Sequence, residues 1–230
     1  MNVHSLTLLL LSSALSLFLS CETAEKSQRR AEQALRIGEY AEAADAYKTA
    51  YRLTPAKAAR GRLAFLMGEC YRRYGNSARA LAAYRNAARY KNTDSTMLRE
   101  EGAMMLLNGD YKNALSALKD YVAAHPEDFV ALRAYNGAQE APTRRAKGSL
   151  YPINPAALFN NNRTDYAPSL LIEGKDRQLY FTTTRTAALG NQLSGITGLK
   201  NGDIYVAGVD EKGNWKRPEP VTPVNTPDDE

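Results

Sequence analysis

Along residues 24–141 small apolar positions and aromatic positions recur together at a fixed spacing. Gly38-Glu39-Tyr40-Ala41-Glu42-Ala43-Ala44 is followed by Tyr47, Ala50 and Pro55; Gly75-Asn76-Ser77-Ala78-Arg79-Ala80-Leu81 by Tyr84 and Ala87; and Gly109-Asp110-Tyr111-Lys112-Asn113-Ala114-Leu115 by Leu118, Tyr121 and Pro126. From Ala43 to Ala80 is 37 residues and from Ala80 to Ala114 is 34. A period in this range marks a repeated supersecondary unit, and these residues make it a helix pair. Gly75 and Gly109 fall where two antiparallel helices need a left-handed turn residue, while Ala80 and Ala114 are small so that the second helix can cross the first closely. Pro55 and Pro126 end second helices, because proline excludes the residue before it from helix.

The first helix of each pair carries a matching code. Gly68 and Tyr71 take the small and aromatic places in the second unit and Gly102 and Met105 in the third, whereas Ala31 and Ala34 stand there in the first. These positions resemble the tetratricopeptide repeat, which implies an all-α solenoid of three repeats over residues 24–141, with residues 129–141 as a capping helix; a generic helix bundle is the alternative. Three repeats and a cap meet the minimum for a self-supporting array. Tyr47, Tyr84 and Phe65 read first as packing residues, and Cys70 as a small buried hydrophobe.

At Pro142 the pattern changes. Residues 142–165 read as a linker, and residues 166–230 as a short all-β segment with strands near 169–172, 178–183, 203–209 and 215–221, separated by turn-rich stretches. Asp165-Tyr166-Ala167-Pro168, Leu179-Tyr180-Phe181-Thr182-Thr183-Thr184-Arg185, Gly202-Asp203-Ile204-Tyr205, Trp215 with Pro218, and Val224-Asn225-Thr226 with Asp229-Glu230 resemble the first blade of WD-type β-propellers in exported Bacteroidota proteins. In that family a lipobox, tetratricopeptide repeats, a propeller and an OmpA-like domain follow one another, as in PorE-type components of the type IX secretion system. One blade cannot close a ring, so the resemblance implies an incomplete propeller in a truncated chain, with the peptidoglycan-binding OmpA-like domain absent.

The N-terminus points to export. Residues 6–19 are an uncharged run of signal-peptide length, too short for a comfortable membrane span. Ser20-Cys21 at its edge resembles the bacterial lipobox, although Phe18 replaces the usual aliphatic residue. The expectation is a signal peptide over residues 1–20 and lipidation at Cys21, making an outer-membrane lipoprotein, on the periplasmic rather than the outer face; a plain signal peptide or uncleaved anchor are the alternatives.

Composition narrows the chemistry. The 230 residues carry 30 Lys plus Arg against 25 Asp plus Glu, a net charge of +5, without a basic stripe in the sequence that would suit nucleic acid. With two cysteines and two histidines no metal-ligand cluster is expected, and His125 has no nucleophile motif beside it, so neither catalytic residues nor cofactors are expected. The expected function is a non-enzymatic scaffold binding protein partners of the cell envelope. A glycan-binding surface lipoprotein and the N-terminal part of a propeller hydrolase are the alternatives. Arg62, Phe65, Glu69 and Arg72 share one side of a helix, since offsets of three, seven and ten return near the same angle. In the tetratricopeptide resemblance that side corresponds to the groove-lining one, so with Arg99 and Arg133 at equivalent places these residues are the implied partner-binding groove, a column of Arg62, Arg99 and Arg133 suited to a peptide carboxylate. The competing expectation is a solvated face on which Glu69 and Glu100 neutralise the arginines.

Overall fold

The computed structural model describes residues 22–91, 96–148, 151–152, 154–190 and 192–228. The expected signal segment and Cys21 lie outside them. Among the described residues seven helices come before the sheet: α1 (Ala24–Arg36), α2 (Tyr40–Leu53), α3 (Lys57–Arg73), α4 (Ser77–Arg89), α5 (Met97–Leu107), α6 (Tyr111–Ala124) and α7 (Phe129–Lys147). They are rich in alanine, leucine and arginine, and only Thr49, Val122, Val130 and Thr143 in them are β-branched, so little side-chain entropy opposes helix. None of the described helices is long and apolar enough to cross a membrane.

Each pair closes with the same cap. Gly38, Gly75 and Gly109 hold φ of 85°, 84° and 78°, in the left-handed region where a Cβ is unfavourable. The next amide donates back to the first helix: Glu39 to the Ala34 carbonyl at 3.0 Å, Asn76 to Tyr71 at 2.8 Å and Asp110 to Met105 at 2.9 Å. These six-to-one bonds satisfy carbonyls that the helix end leaves open and aim the chain antiparallel. Successive helices from α1 to α6 pack against one another, giving a tetratricopeptide-like solenoid.

The core lies between the helices of each pair. Ala43, Ala80 and Ala114 are fully buried, as are Tyr84 and Leu118, with Tyr47 at 1 % exposure. The tight spots are glycines. A Cβ on Gly68 would lie 2.7 Å from the Tyr84 ring, and one on Gly102 2.5 Å from Leu118 Cγ. Cys70 is buried as expected, and burial pushes its thiol up to about 12.

Two boundaries differ from the sequence expectation. Helix α7 runs through Pro142 to Lys147 and stops at Gly148, with φ 71°, so the expected linker begins with helix. Pro142 gives up only the bond to the Ala138 carbonyl, and Arg144 donates to the Glu140 carboxylate at 2.6 and 3.0 Å across the gap. The chain divides into two compact units between Gln139 and Glu140.

The second unit holds an antiparallel sheet ordered β1-β2-β3-β4: β1 (Asp165–Glu173), β2 (Asp176–Thr183), β3 (Asp203–Gly208) and β4 (Glu219–Pro220). The fourth strand is shorter than expected. Trp215 makes only an isolated bridge to Val209, and Pro218 and Pro220 lack the amides that a longer ladder needs. Phe159, from the expected linker, packs edge-on against Phe181 and Trp215, with centroids 6.3 and 5.5 Å away. The Arg185 guanidinium lies 4.4 Å from the Tyr205 ring centroid on the same small core. Leu170, Leu171 and Ile172 on β1 stay exposed.

The glycine contacts give a direct test. Gly68→Ala and Gly102→Ala should each cost roughly 1–3 kcal/mol by overpacking. Gly137→Ala, whose Cβ would meet Leu106 at an ordinary 3.6 Å, should be neutral or stabilising by up to ~1 kcal/mol through helix propensity. Urea unfolding of the three variants measures the order; equal effects would contradict the packing described.

Candidate functional site

The side of α3 that carries Arg62, Phe65, Glu69 and Arg72 reaches the neighbouring repeat through charge. Tyr84, fully buried on α4, donates its hydroxyl to Glu69 at 2.6 Å. Glu69 pairs with Arg72 at 2.7 Å, and Arg72 reaches Glu100 of α5 at 3.2 Å. Arg99 donates to Glu100 at 2.5 and 3.0 Å and to Asp128 at 2.9 Å. Asp128 also accepts from the Tyr121 hydroxyl at 3.1 Å and from the amides of Val130 and Ala131 at 3.0 Å, where it caps α7. One continuous chain of hydrogen bonds and ion pairs therefore joins the first-type helices α3, α5 and α7.

Burial gives this chain its character. Glu100 is 7 % exposed, a charge that persists inside only because two guanidiniums meet it. Glu69 is pulled two ways: burial raises its pKa, but donors from Arg72 and Tyr84 and nearby arginine charge outweigh that and hold it below the usual carboxylate range. Asp128 is lowered to about 2, first by the Ala131 amide and then by Arg99. The Tyr84 hydroxyl is pushed up by burial and by Glu69, so it stays a donor. Arg72 and Arg99 are held charged against any pH the protein meets.

Each sequence-expected residue can now be placed. Glu69, Arg72 and Arg99 come together in the chain. Phe65 is half-buried, its ring 5.9 Å from that of Tyr84. Arg62 on α3 and Arg133 on α7 are exposed, without a hydrogen bond or ion pair among the described residues. Arg99 thus faces Glu100 and Asp128, and three carboxylates meet two guanidiniums along the face. Tyr84, Tyr121 and Asp128 were absent from the sequence-based set. Asp128 carried a readable signal, an aspartate two residues past a proline at the start of a helix, the N-cap pattern. The tyrosine hydroxyls carried none, because their rings read as core.

No family model and no curated protein matches the chain. Among solved structures the chain is similar to the first TPR of Spaghetti (RPAP3) bound to HSP90 peptide SRMEEVD, at 17 % identity and a TM-score of 0.46 over 53 % of this chain and 94 % of that one. It is similar to the Sgt2 TPR domain from Aspergillus fumigatus, at 18 % identity and 0.44 over 58 % and 87 %, and to the first TPR domain of human RPAP3, at 16 % and 0.45 over 55 % and 98 %. The repeat architecture rests on the helix pairing and caps above rather than on these likenesses.

Acid should loosen the face. Glu69 and Asp128 have folded pKa values below their unfolded ones, so the stability they add is complete above the unfolded carboxylate range, near 4, and is lost as pH falls through the folded values. Unfolding free energy should hold level from about pH 7 to 5 and drop from about pH 4 to 2. Asp128→Asn, which keeps the cap, should lower stability at pH 7 and flatten the acid drop; an unchanged pH profile would remove the chain's assigned role.

Proposed function

We propose that the protein is a non-enzymatic scaffold of the bacterial cell envelope that holds a partner protein on the first-type helix face of its repeats. The observation that carries this reading is the ion-pair chain. It fixes α3, α5 and α7 relative to one another and leaves Arg62 and Arg133 exposed on the first and last of those helices. A surface whose charged side chains are already ordered binds with little further entropy loss. Unpaired guanidiniums on it suit an acidic or C-terminal peptide, through two parallel donors each.

The location follows from sequence. The uncharged run ending in Ser20-Cys21 supports acylation at Cys21 and attachment to the outer membrane, facing the periplasm. The order of lipobox, repeats and antiparallel sheet supports a place in the type IX secretion system or a related Bacteroidota envelope assembly. The exposed Leu170, Leu171 and Ile172 support reading the sheet as a propeller blade that lacks its neighbours.

Two measurements test the reading. Mass spectrometry of the protein from its native membrane should find Cys21 as an acylated N-terminus; an intact residue 1–20 segment would remove the anchor. Affinity for the main partner from envelope extract should fall at least about a hundredfold in the Arg62→Glu/Arg133→Glu variant, as two charge-assisted contacts at roughly 1.5 kcal/mol or more each require, and co-purification should be lost. Lys119→Glu, exposed on the second-type helix α6, should leave capture unchanged; equal losses would move the site elsewhere.

A further inference from the structure

One end of the helical array carries a basic patch where the end of α2, the start of α3 and the end of α4 meet, and its charges come from segments far apart in sequence. Because consecutive helices run antiparallel, the starts of α1, α3, α5 and α7 and the ends of α2, α4 and α6 share that end. The contacts agree. The Tyr51 hydroxyl at the end of α2 lies 3.4 Å from that of Tyr90, just past α4. Arg60, in the first turns of α3, donates to the Thr54 carbonyl at 2.6 Å, and its guanidinium sits 5.6 Å from the Tyr51 ring centroid. Lys57 and Arg60 both act on the Tyr90 hydroxyl, and Arg60 and Arg89 on that of Tyr51.

None of Lys57, Arg60, Arg89 and Lys91 has a carboxylate partner among the described residues, although elsewhere in the repeats carboxylates pair readily with arginine. Lys57 even stands in the first turn of α3, where the helix macrodipole disfavours a cation and the structure places no acidic residue. Local stability does not explain it. Leu53 and Phe129, at the same end, are 45 % and 74 % exposed. The rest of this end is mixed in sign, with Glu25 in the first turn of α1 and Glu127 and Asp128 just before α7, as is the opposite end, with Glu39 and Asp110 beside Arg36 and Lys112, so the excess of positive charge is local to the patch.

Cys21 lies three residues before Ala24, so at most about 11 Å of extended chain separates it from the start of α1, at the same end of the array as the basic patch. We propose that this patch is a docking surface for anionic lipid headgroups, where Lys57, Arg60, Arg89 and Lys91 meet phosphate oxygens and Leu53 enters between the headgroups. The choice of a lipid surface rests on the proposed Cys21 anchor. Surface-facing lysines and arginines attract an anionic leaflet additively, and tyrosines suit its interface.

The test uses the full chain carrying Cys21→Ser, floated with vesicles of phosphatidylcholine alone or with about a third phosphatidylglycerol. Binding to the anionic vesicles should exceed that to the neutral ones by at least about tenfold and fall steeply with salt. Lys57→Glu/Arg89→Glu should abolish the difference. Arg36→Glu/Lys112→Glu, with the same change in net charge at the opposite end, should keep it. Equal binding to both vesicle types, or equal losses in the two variants, overturns the proposal. The salt dependence of the unsubstituted patch decides the matter if a variant fails to fold. An unacylated Cys21 in the native protein would sink the anchor reading but would not alter the vesicle result, so the two failures remain distinguishable.

Discussion

Within each repeat the two helices approach until a missing side chain on one is filled by a large one on the other. Tyr84 lies over Gly68 and Leu118 over Gly102, at distances that leave no room for even a methyl group. Much of the first unit follows from that constraint. Tyr84 is held deep enough to be fully buried, so its hydroxyl must find a partner inside, and Glu69 is the acceptor within reach. Glu69 then orders Arg72, and Arg72 carries the connection to Glu100 in the next repeat. An apolar contact within one repeat thereby positions the charges that join it to the next.

Those charges do more for geometry than for stability. Arg72 remains one-third exposed, so its pairs approach the ~1 kcal/mol or less of surface bridges, whereas Glu100 is buried and would be costly to leave alone. The net gain from forming the chain is modest, but a one-residue slip between repeats would strand a buried carboxylate. Discrimination against wrong stacking is the benefit that the arrangement supplies. It also divides the arginines of the face into two classes: Arg72 and Arg99 serve the fold, while Arg62 and Arg133 stay exposed and are the pair proposed to meet a partner.

The repeats were legible because glycines with positive φ and alanines at helix crossings are local requirements written at a fixed period. The charged face was only half legible. Helical spacing grouped Arg62, Phe65, Glu69 and Arg72, but which arginines would be neutralised depended on Asp128 and on two tyrosine hydroxyls brought in by packing. Pro142 misled in a simple way: proline is a strong local breaker, yet a helix can lose one hydrogen bond when Glu140 and Arg144 bridge the turn. The basic patch was invisible in sequence, because Lys57 and Arg89 share one end of the array only when α2, α3 and α4 fold back on one another. In the second unit the strand order was readable from the turns, whereas the shortening of β4 depended on how Pro218 and Pro220 met the edge of β3.

The central claim is that the first-type helix face is where a partner protein sits, and site-specific photo-crosslinking in intact cells tests it most directly. A photoreactive residue at Arg62 or Arg133 should each yield a crosslink to the same single envelope protein, while one at Lys119 yields none. Crosslinks of equal intensity from all three positions, or none from Arg62 and Arg133, would contradict the account.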